Sequence, residues 1–174
     1  MSLEFIAQLI LLTLVMFAVW LVSFGILAPV TLAGYTQSLL LMFREGRDPR
    51  VKDLFSTMHL FLPLLGLAIL MAALAAVGYM LFIVPGVIVT IAVPFFFFYV
   101  IPLMTDRNLG LMEAVKQSWA MARDGSLKDH FIVVILYLGI MAIGNSIFIG
   151  ALFTQPIATL FMLSVYDEKI DLIE

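Results

Sequence analysis

The chain of 174 residues is 64% hydrophobic and only 12% charged, with a mean hydropathy of +1.16. A soluble domain is usually about 45–50% apolar and roughly 25% charged, so this chain has more apolar surface than a water-soluble core of its size can bury. The net charge of −3, without a basic stripe, argues against a nucleic-acid partner. The composition therefore predicts an integral membrane protein.

Charged residues are confined to short segments. Three blocks, residues 5–43, 54–105 and 130–166, contain no Asp, Glu, Lys or Arg. About 20 apolar residues span a bilayer as a helix, so the middle block must cross twice, whereas the outer two could cross once or twice. We expect one all-α membrane domain over residues 1–174, with about six spans as three hairpins. Two cytoplasmic amphipathic helices are expected in segments 44–53 and 106–129.

The first block is interrupted between Gly25 and Pro29, because proline cannot continue the hydrogen bonding of a helix and restricts the residue before it. This pattern favours a turn between two spans over one long kinked helix. The second of these spans is short, so Arg44 at its end is expected to reach the membrane interface as an anchor.

The first polar segment carries a helix-start signal, with Asp48 as N-cap and Pro49 in the first helical position. Apolar residues then recur at i, i+3, i+4 and i+7, which predicts an amphipathic helix in the interface. These residues are Val51, Leu54, Phe55 and Met58.

Proline, glycine and acidic residues also predict a turn and a helix start in the rest of the chain. Pro85 and Gly86 predict the turn of the middle block. Gly110 as N-cap and Glu113 near the positive end of the dipole predict a second amphipathic helix, with Trp119 as a headgroup-level anchor. Its predicted apolar face contains Leu111, Met112, Val115, Trp119 and Ala122.

The last block is ambiguous. A turn between Gly150 and Pro156 would place the acidic tail in the cytoplasm, and a single crossing would place it outside. Orientation follows from the cations, because Lys and Arg favour cytoplasmic loops. Each polar segment carries four of them: Arg44, Arg47, Arg50 and Lys52 in the first, and Arg107, Lys116, Arg123 and Lys128 in the second.

No pattern of catalytic, cofactor-binding or metal-ligating residues is recognisable. The chain has no cysteine, and its two histidines, His59 and His130, are too far apart in sequence to suggest ligand spacing. Both lie at block edges, which is typical of interfacial or capping histidines. We therefore expect a protein that is not an enzyme.

Uncharged polar residues within the blocks are more informative. Gln37, Asn145 and Gln155 would seek hydrogen-bond partners in hydrocarbon, which favours a role in holding helices together. The alternative is that these three line a polar cavity or pore. Small residues offer close helix approach, within one subunit or between subunits. They are Ala68, Ala72, Ala75, Ala76, Gly139 and Ala142.

Several runs are similar to a broad group of uncharacterised bacterial inner-membrane proteins. The residues concerned are Phe82 to Ile88, Pro102 to Asp106, Glu113 to Val115 with Ser118, Asp53 to Phe55, Phe153 to Pro156, and Tyr166. The group includes the membrane domain found ahead of some glycerophosphoryl diester phosphodiesterases. The resemblance implies a six-helix bacterial inner-membrane module and no functional residue, since the phosphodiesterase chemistry belongs to a separate soluble domain.

Two functions are compatible with these features. The favoured one is a scaffold or accessory protein that associates with itself or with a membrane-protein partner, surrounded by membrane lipid. The alternative is a channel or transporter for a lipid or a small neutral solute, because helices broken at Pro29, Pro85 and Pro156 could frame a membrane site.

Overall fold

The computed structural model describes residues 3–124, 126–145 and 148–171, and side chains over residues 6–124, 126–144 and 150–171. The described residues form helices joined by turns and short irregular segments, with no strand among them, which confirms the all-α prediction. Its helices are α1 (Leu3–Val22), α2 (Ala28–Glu45), α3 (Phe61–Leu81), α4 (Ile83–Phe97), α5 (Val100–Asp106), α6 (Leu111–Arg123), α7 (Leu127–Asn145) and α8 (Phe148–Asp171).

Three helical stretches are long and apolar enough to cross a membrane: Val51–Leu81, Ile83–Asp106 and Leu127–Gly144. A shorter apolar stretch, Ile6–Val22, belongs to α1. These stretches support a membrane protein, as the composition predicts.

The chain turns between α1 and α2, where the sequence predicts a break. Phe24 and Gly25 adopt positive φ angles of 52° and 81°, and Pro29 lies in the first turn of α2. Two hydrogen bonds join the helices: Trp20 Nε1 donates to Thr31 Oγ1 at 2.8 Å, and the hydroxyls of Thr13 and Tyr35 are 3.0 Å apart. Trp20 near the end of α1 pairs with Thr31 near the start of α2, and Thr13 earlier in α1 pairs with Tyr35 later in α2. The two helices therefore run in opposite directions.

The first polar segment differs from the predicted α-helix. Residues 46–50 are not helical, and two short 3₁₀ turns follow at Val51–Phe55 and Met58–Leu60. The prediction of an N-cap at Asp48 was therefore wrong. The reason lies in Asp53, whose carboxylate accepts hydrogen bonds from Ser38 Oγ at 3.0 Å and from Arg47 Nη2 at 2.6 Å. These bonds draw the segment against α2 instead of leaving it at the surface.

This segment runs back along one face of α2. Leu54 is fully buried, and Thr57 Oγ1 donates to the Val30 carbonyl at 3.0 Å. At Gly34 the two backbones are so close that an added Cβ would lie 2.5 Å from the Leu54 carbonyl oxygen, and closer still to that of Asp53. A side chain at position 34 would therefore push the segment away from α2.

Helices α3 and α4 are joined by Phe82 alone, so the chain turns three residues earlier than Pro85 and Gly86 predict. Those two residues lie in the first turn of α4. There the Tyr79 ring covers Gly86, and a Cβ on Gly78 would lie 3.1 Å from the Gly86 Cα. The Tyr79 and Thr90 hydroxyls are 3.1 Å apart. Small residues thus let α3 and α4 pack closely along each other.

Helix α6 begins at the predicted N-cap, Gly110, but its buried face is shifted from the predicted stripe. Ala114, Ser118 and Met121 are fully buried, whereas Met112 is 68% exposed. Packing against α5 decides this face, and the hydrophobic pattern alone does not reveal it.

Helices α7 and α8 pack along each other in opposite directions, since the start of α7 and the end of α8 line one cavity. Helix α7 ends at Asn145 and α8 begins at Phe148, so the predicted turn between Gly150 and Pro156 lies too late. Pro156 lies inside α8 without ending it. Close approach of the pair requires Gly144, because a Cβ there would clash with the Thr154 side chain.

Candidate functional site

The most distinctive site is a helix break between α4 and α5, at Phe98 and Tyr99. Pro102 explains its position, because proline has no N–H and its ring clashes with the carbonyl four residues earlier, here Phe98. In a continuous helix the Tyr99 N–H would bond to the Phe95 carbonyl. Buried backbone groups freed by a break must find other partners.

Ser118 of α6 supplies two of these bonds. Its hydroxyl donates to the Phe96 carbonyl at 2.8 Å and accepts from the Tyr99 N–H at 3.2 Å. Ser118 is fully buried, so water cannot replace it. The serine therefore fixes the broken helix to α6.

His130 of α7 supplies a further bond. Its Nε2 lies 2.8 Å from the Phe95 carbonyl, which can only accept, so Nε2 carries the proton. Nδ1 of the neutral ring then accepts from the Tyr99 hydroxyl at 3.3 Å. His59 is exposed and His130 is buried, and the prediction that both are interfacial or capping histidines stays a prediction. Both ring nitrogens hold the break in place, which favours a positioning role.

Replacing Ser118 with alanine should lower the free energy of unfolding by about 1–2 kcal/mol, because two buried backbone groups lose their partner. The measurement is SDS-induced unfolding in mixed micelles, followed by circular dichroism. Ser164→Ala is the matched control, since Ser164 is exposed and bonds only within its own helix, to the Phe161 carbonyl. Equal stability of the two variants would contradict the role of Ser118.

A polar cavity of about 490 Å³ adjoins the break. Tyr99 and His130 form part of its wall, and its charged lining residues are Asp124, Asp129, Glu168 and Lys169. The Lys169 ammonium donates to the carbonyls of Met121 and Asp124 at the end of α6. A cation at this end stabilises the helix dipole. Burial lowers the pKa of Lys169, and the nearby carboxylates of Asp124 and Asp129 oppose that shift.

A second cluster joins three distant parts of the chain. Arg44 donates to Asp106 from Nη1 at 2.7 Å and to Asp167 from Nε at 2.7 Å. The Tyr166 hydroxyl donates to the other Asp106 oxygen at 2.9 Å. Burial opposes the charge of Arg44, but hydrogen bonds to Asp167 and Asp106 raise its pKa above the ordinary value. Arg44 is thus tied to α5 and α8, and its predicted role as an interfacial anchor stays a prediction.

The other predicted site residues lie apart from these clusters. Gln37 accepts from Ser56 Oγ at 3.3 Å, and Gln155 is buried in α8. Neither lines the polar cavity beside the helix break. The Asn145 side chain lies outside the described residues, so the polar cavity of Gln37, Asn145 and Gln155 stays a prediction. Trp119, the predicted anchor, is 44% exposed and stacks on Phe96.

Comparison with known proteins adds no relative. No family model, curated protein or solved structure matches the chain. The function of the chain is therefore inferred from its own geometry.

The sequence prediction missed the contacts between helices and segments made by Asp53, Asp106, Ser118 and Tyr99. Pro102 was an available signal for the break, since an interior proline removes one backbone bond. Nothing in the sequence marks the partners of that break, because Ser118 and His130 lie on other helices.

Proposed function

We propose that this chain is a non-enzymatic, multi-pass membrane protein of the bacterial inner membrane that acts by assembling with itself or with another membrane protein. In this proposal α1/α2, α3 to α5, and α7/α8 form three hairpins that cross six times. The charged segments lie together in the cytoplasm. The antiparallel packing of α1 with α2 and of α7 with α8 supports the topology, and the sequence resemblance supports the location.

The observation that carries the proposal is the exposure of α3 and α4. In Val51–Leu81, which includes α3, only 6% of the residues in the most apolar 18-residue stretch are buried. The corresponding share in Ile83–Asp106, which includes α4, is 33%. Among the described residues, the most extensive contact of α3 is with α4, followed by α2, and Met80 is 86% exposed. A helix buried on so little of its surface is available for a further helix partner.

Small residues favour this surface as an interface. In lipid no hydrophobic force drives helices together, so association depends on close packing, which small residues permit. Gly78 and Gly86 serve the contact between α3 and α4. Ala72 and Ala76 lie four residues apart on α3, and both are exposed. Their spacing matches the small-xxx-small pattern of associating helices.

Light scattering after size exclusion in mild detergent tests this proposal. The purified chain should have at least twice the protein mass of one copy, or should co-purify with a membrane protein in fixed ratio. Ala72→Phe and Ala76→Phe should each shift the chain toward the monomer, because a bulky ring prevents close approach. A monomer that retains no partner would contradict the proposal.

The matched control is Ala7→Phe on α1, where the alanine is also exposed. This change adds the same bulk to an apolar helix outside α3. The protein mass of the assembly, measured by light scattering, should therefore equal that of the unmodified protein. An equal shift in the control would indicate a general effect of bulk and would remove α3 from the proposal.

A further inference from the structure

An apolar groove of about 570 Å³ lies where the ends of α4 and α6 meet the start of α7. The Phe96 and Trp119 rings stack with centroids 4.0 Å apart, and the Phe95 and Phe131 centroids are 6.4 Å apart. The volume lies within the range of about 300–1,000 Å³ that is typical of ligand pockets. The groove is thus large enough for part of an extended apolar molecule.

Two cations line this groove, Arg123 from the end of α6 and Lys128 from the start of α7. Both are exposed, and across the described residues neither forms an ion pair. Among the described residues the groove wall contains no acidic side chain, and Asp124 and Asp129 line the separate polar cavity with Lys169. The groove therefore combines an apolar wall with two positive charges that form no ion pair among the described residues.

The position of the cations matches the level of lipid headgroups. The apolar stretch Leu127–Gly144 begins between them, and Phe131 lies one turn further along α7. Tryptophan is enriched at the same level, where Trp119 is half exposed. Basic pockets beside membrane helices on the cytoplasmic side bind anionic headgroups.

We propose that this groove binds an anionic phospholipid, with the phosphate between Arg123 and Lys128 and an acyl chain along Phe96, Trp119 and Phe131. A free phosphate would use only the two cations, whereas the phospholipid also uses the apolar wall. This site depends on the chain lying in a membrane. It does not depend on assembly through α3, so the two proposals fail independently.

Bromolipid quenching of Trp119 tests this site. The chain has two tryptophans, so Trp20→Phe leaves Trp119 as the only one. The protein is reconstituted in mixed vesicles in which either phosphatidylglycerol or phosphatidylcholine carries the brominated chains. We expect quenching by brominated phosphatidylglycerol to exceed the value for random mixing, and brominated phosphatidylcholine to fall below it.

Arg123→Gln and Lys128→Gln should each reduce the preference for phosphatidylglycerol about fivefold at low salt, the contribution of one cation near an anionic surface. Lys52→Gln with Lys116→Gln is the matched control, because these exposed cations lie outside the groove, and it should leave the preference unchanged. Added inorganic phosphate should not compete. Equal quenching by the two lipids, or loss of the preference in the control, would overturn the proposal.

Discussion

Gly34→Ala is expected to lower the free energy of unfolding by about 3 kcal/mol or more, a large effect for a single methyl group. The added Cβ would lie 2.5 Å from the Leu54 carbonyl oxygen. Both sides of that contact are backbone, so no side-chain rotation relieves it. The segment would have to move off α2, which would weaken the bonds of Asp53 to Ser38 and Arg47.

Gly66→Ala in α3 is the matched control, since a Cβ there meets no atom within 4 Å. Replacing a helical glycine with alanine stabilises an open site by about 0.5–1 kcal/mol, so the two variants should move in opposite directions. SDS titration in mixed micelles compares them. A Gly34→Ala protein as stable as Gly66→Ala would contradict the close packing of this segment on α2.

Asp106→Ala is expected to lower the free energy of unfolding by about 2–3 kcal/mol. Its carboxylate, 14% exposed, accepts from Arg44 and from the Tyr166 hydroxyl. Removing one partner of a buried charge pair costs about 2–5 kcal/mol, and we take the lower part of that range because the Arg44 side chain is 32% exposed. Asp167 continues to accept from Arg44, which also limits the loss.

The control for this change is Asp48→Ala, which removes an exposed carboxylate from the first polar segment and should change stability by less than about 0.5 kcal/mol. A double-mutant cycle with Arg44→Met isolates the pair. Its coupling energy should be at least about 1 kcal/mol. Additive effects of the two substitutions would mean that Arg44 and Asp106 do not interact.

Local backbone chemistry was predictable from the sequence. Gly25 and Pro29 indicated the turn after α1, and Gly110 indicated the start of α6, because these residues act through their own conformation. The all-α class followed from composition and the long uncharged blocks. Pro156 shows the limit of such signals, since α8 continues through it.

Residues whose role depends on a distant partner were not predictable. Asp53 looked like part of an exposed polar segment, but Ser38 and Arg47 bury its carboxylate. Ser118 entered the sequence analysis only as part of a family resemblance, but the break at Phe98 and Tyr99 gives it two backbone partners. The hydrophobic periodicity of a helix shows which of its faces is apolar. Only the tertiary packing decides which face is buried.

The central claim is that three antiparallel helix pairs cross the membrane and leave the charged segments on one side. Labelling of single cysteines in oriented vesicles tests it most directly, and the chain has no native cysteine to interfere. Asp48→Cys and Asp171→Cys should react with an impermeant maleimide from the cytoplasmic side, and Phe24→Cys and Phe82→Cys from the opposite side. Reaction of positions 48 and 171 from opposite sides, or of position 82 from the cytoplasm, would contradict the claim.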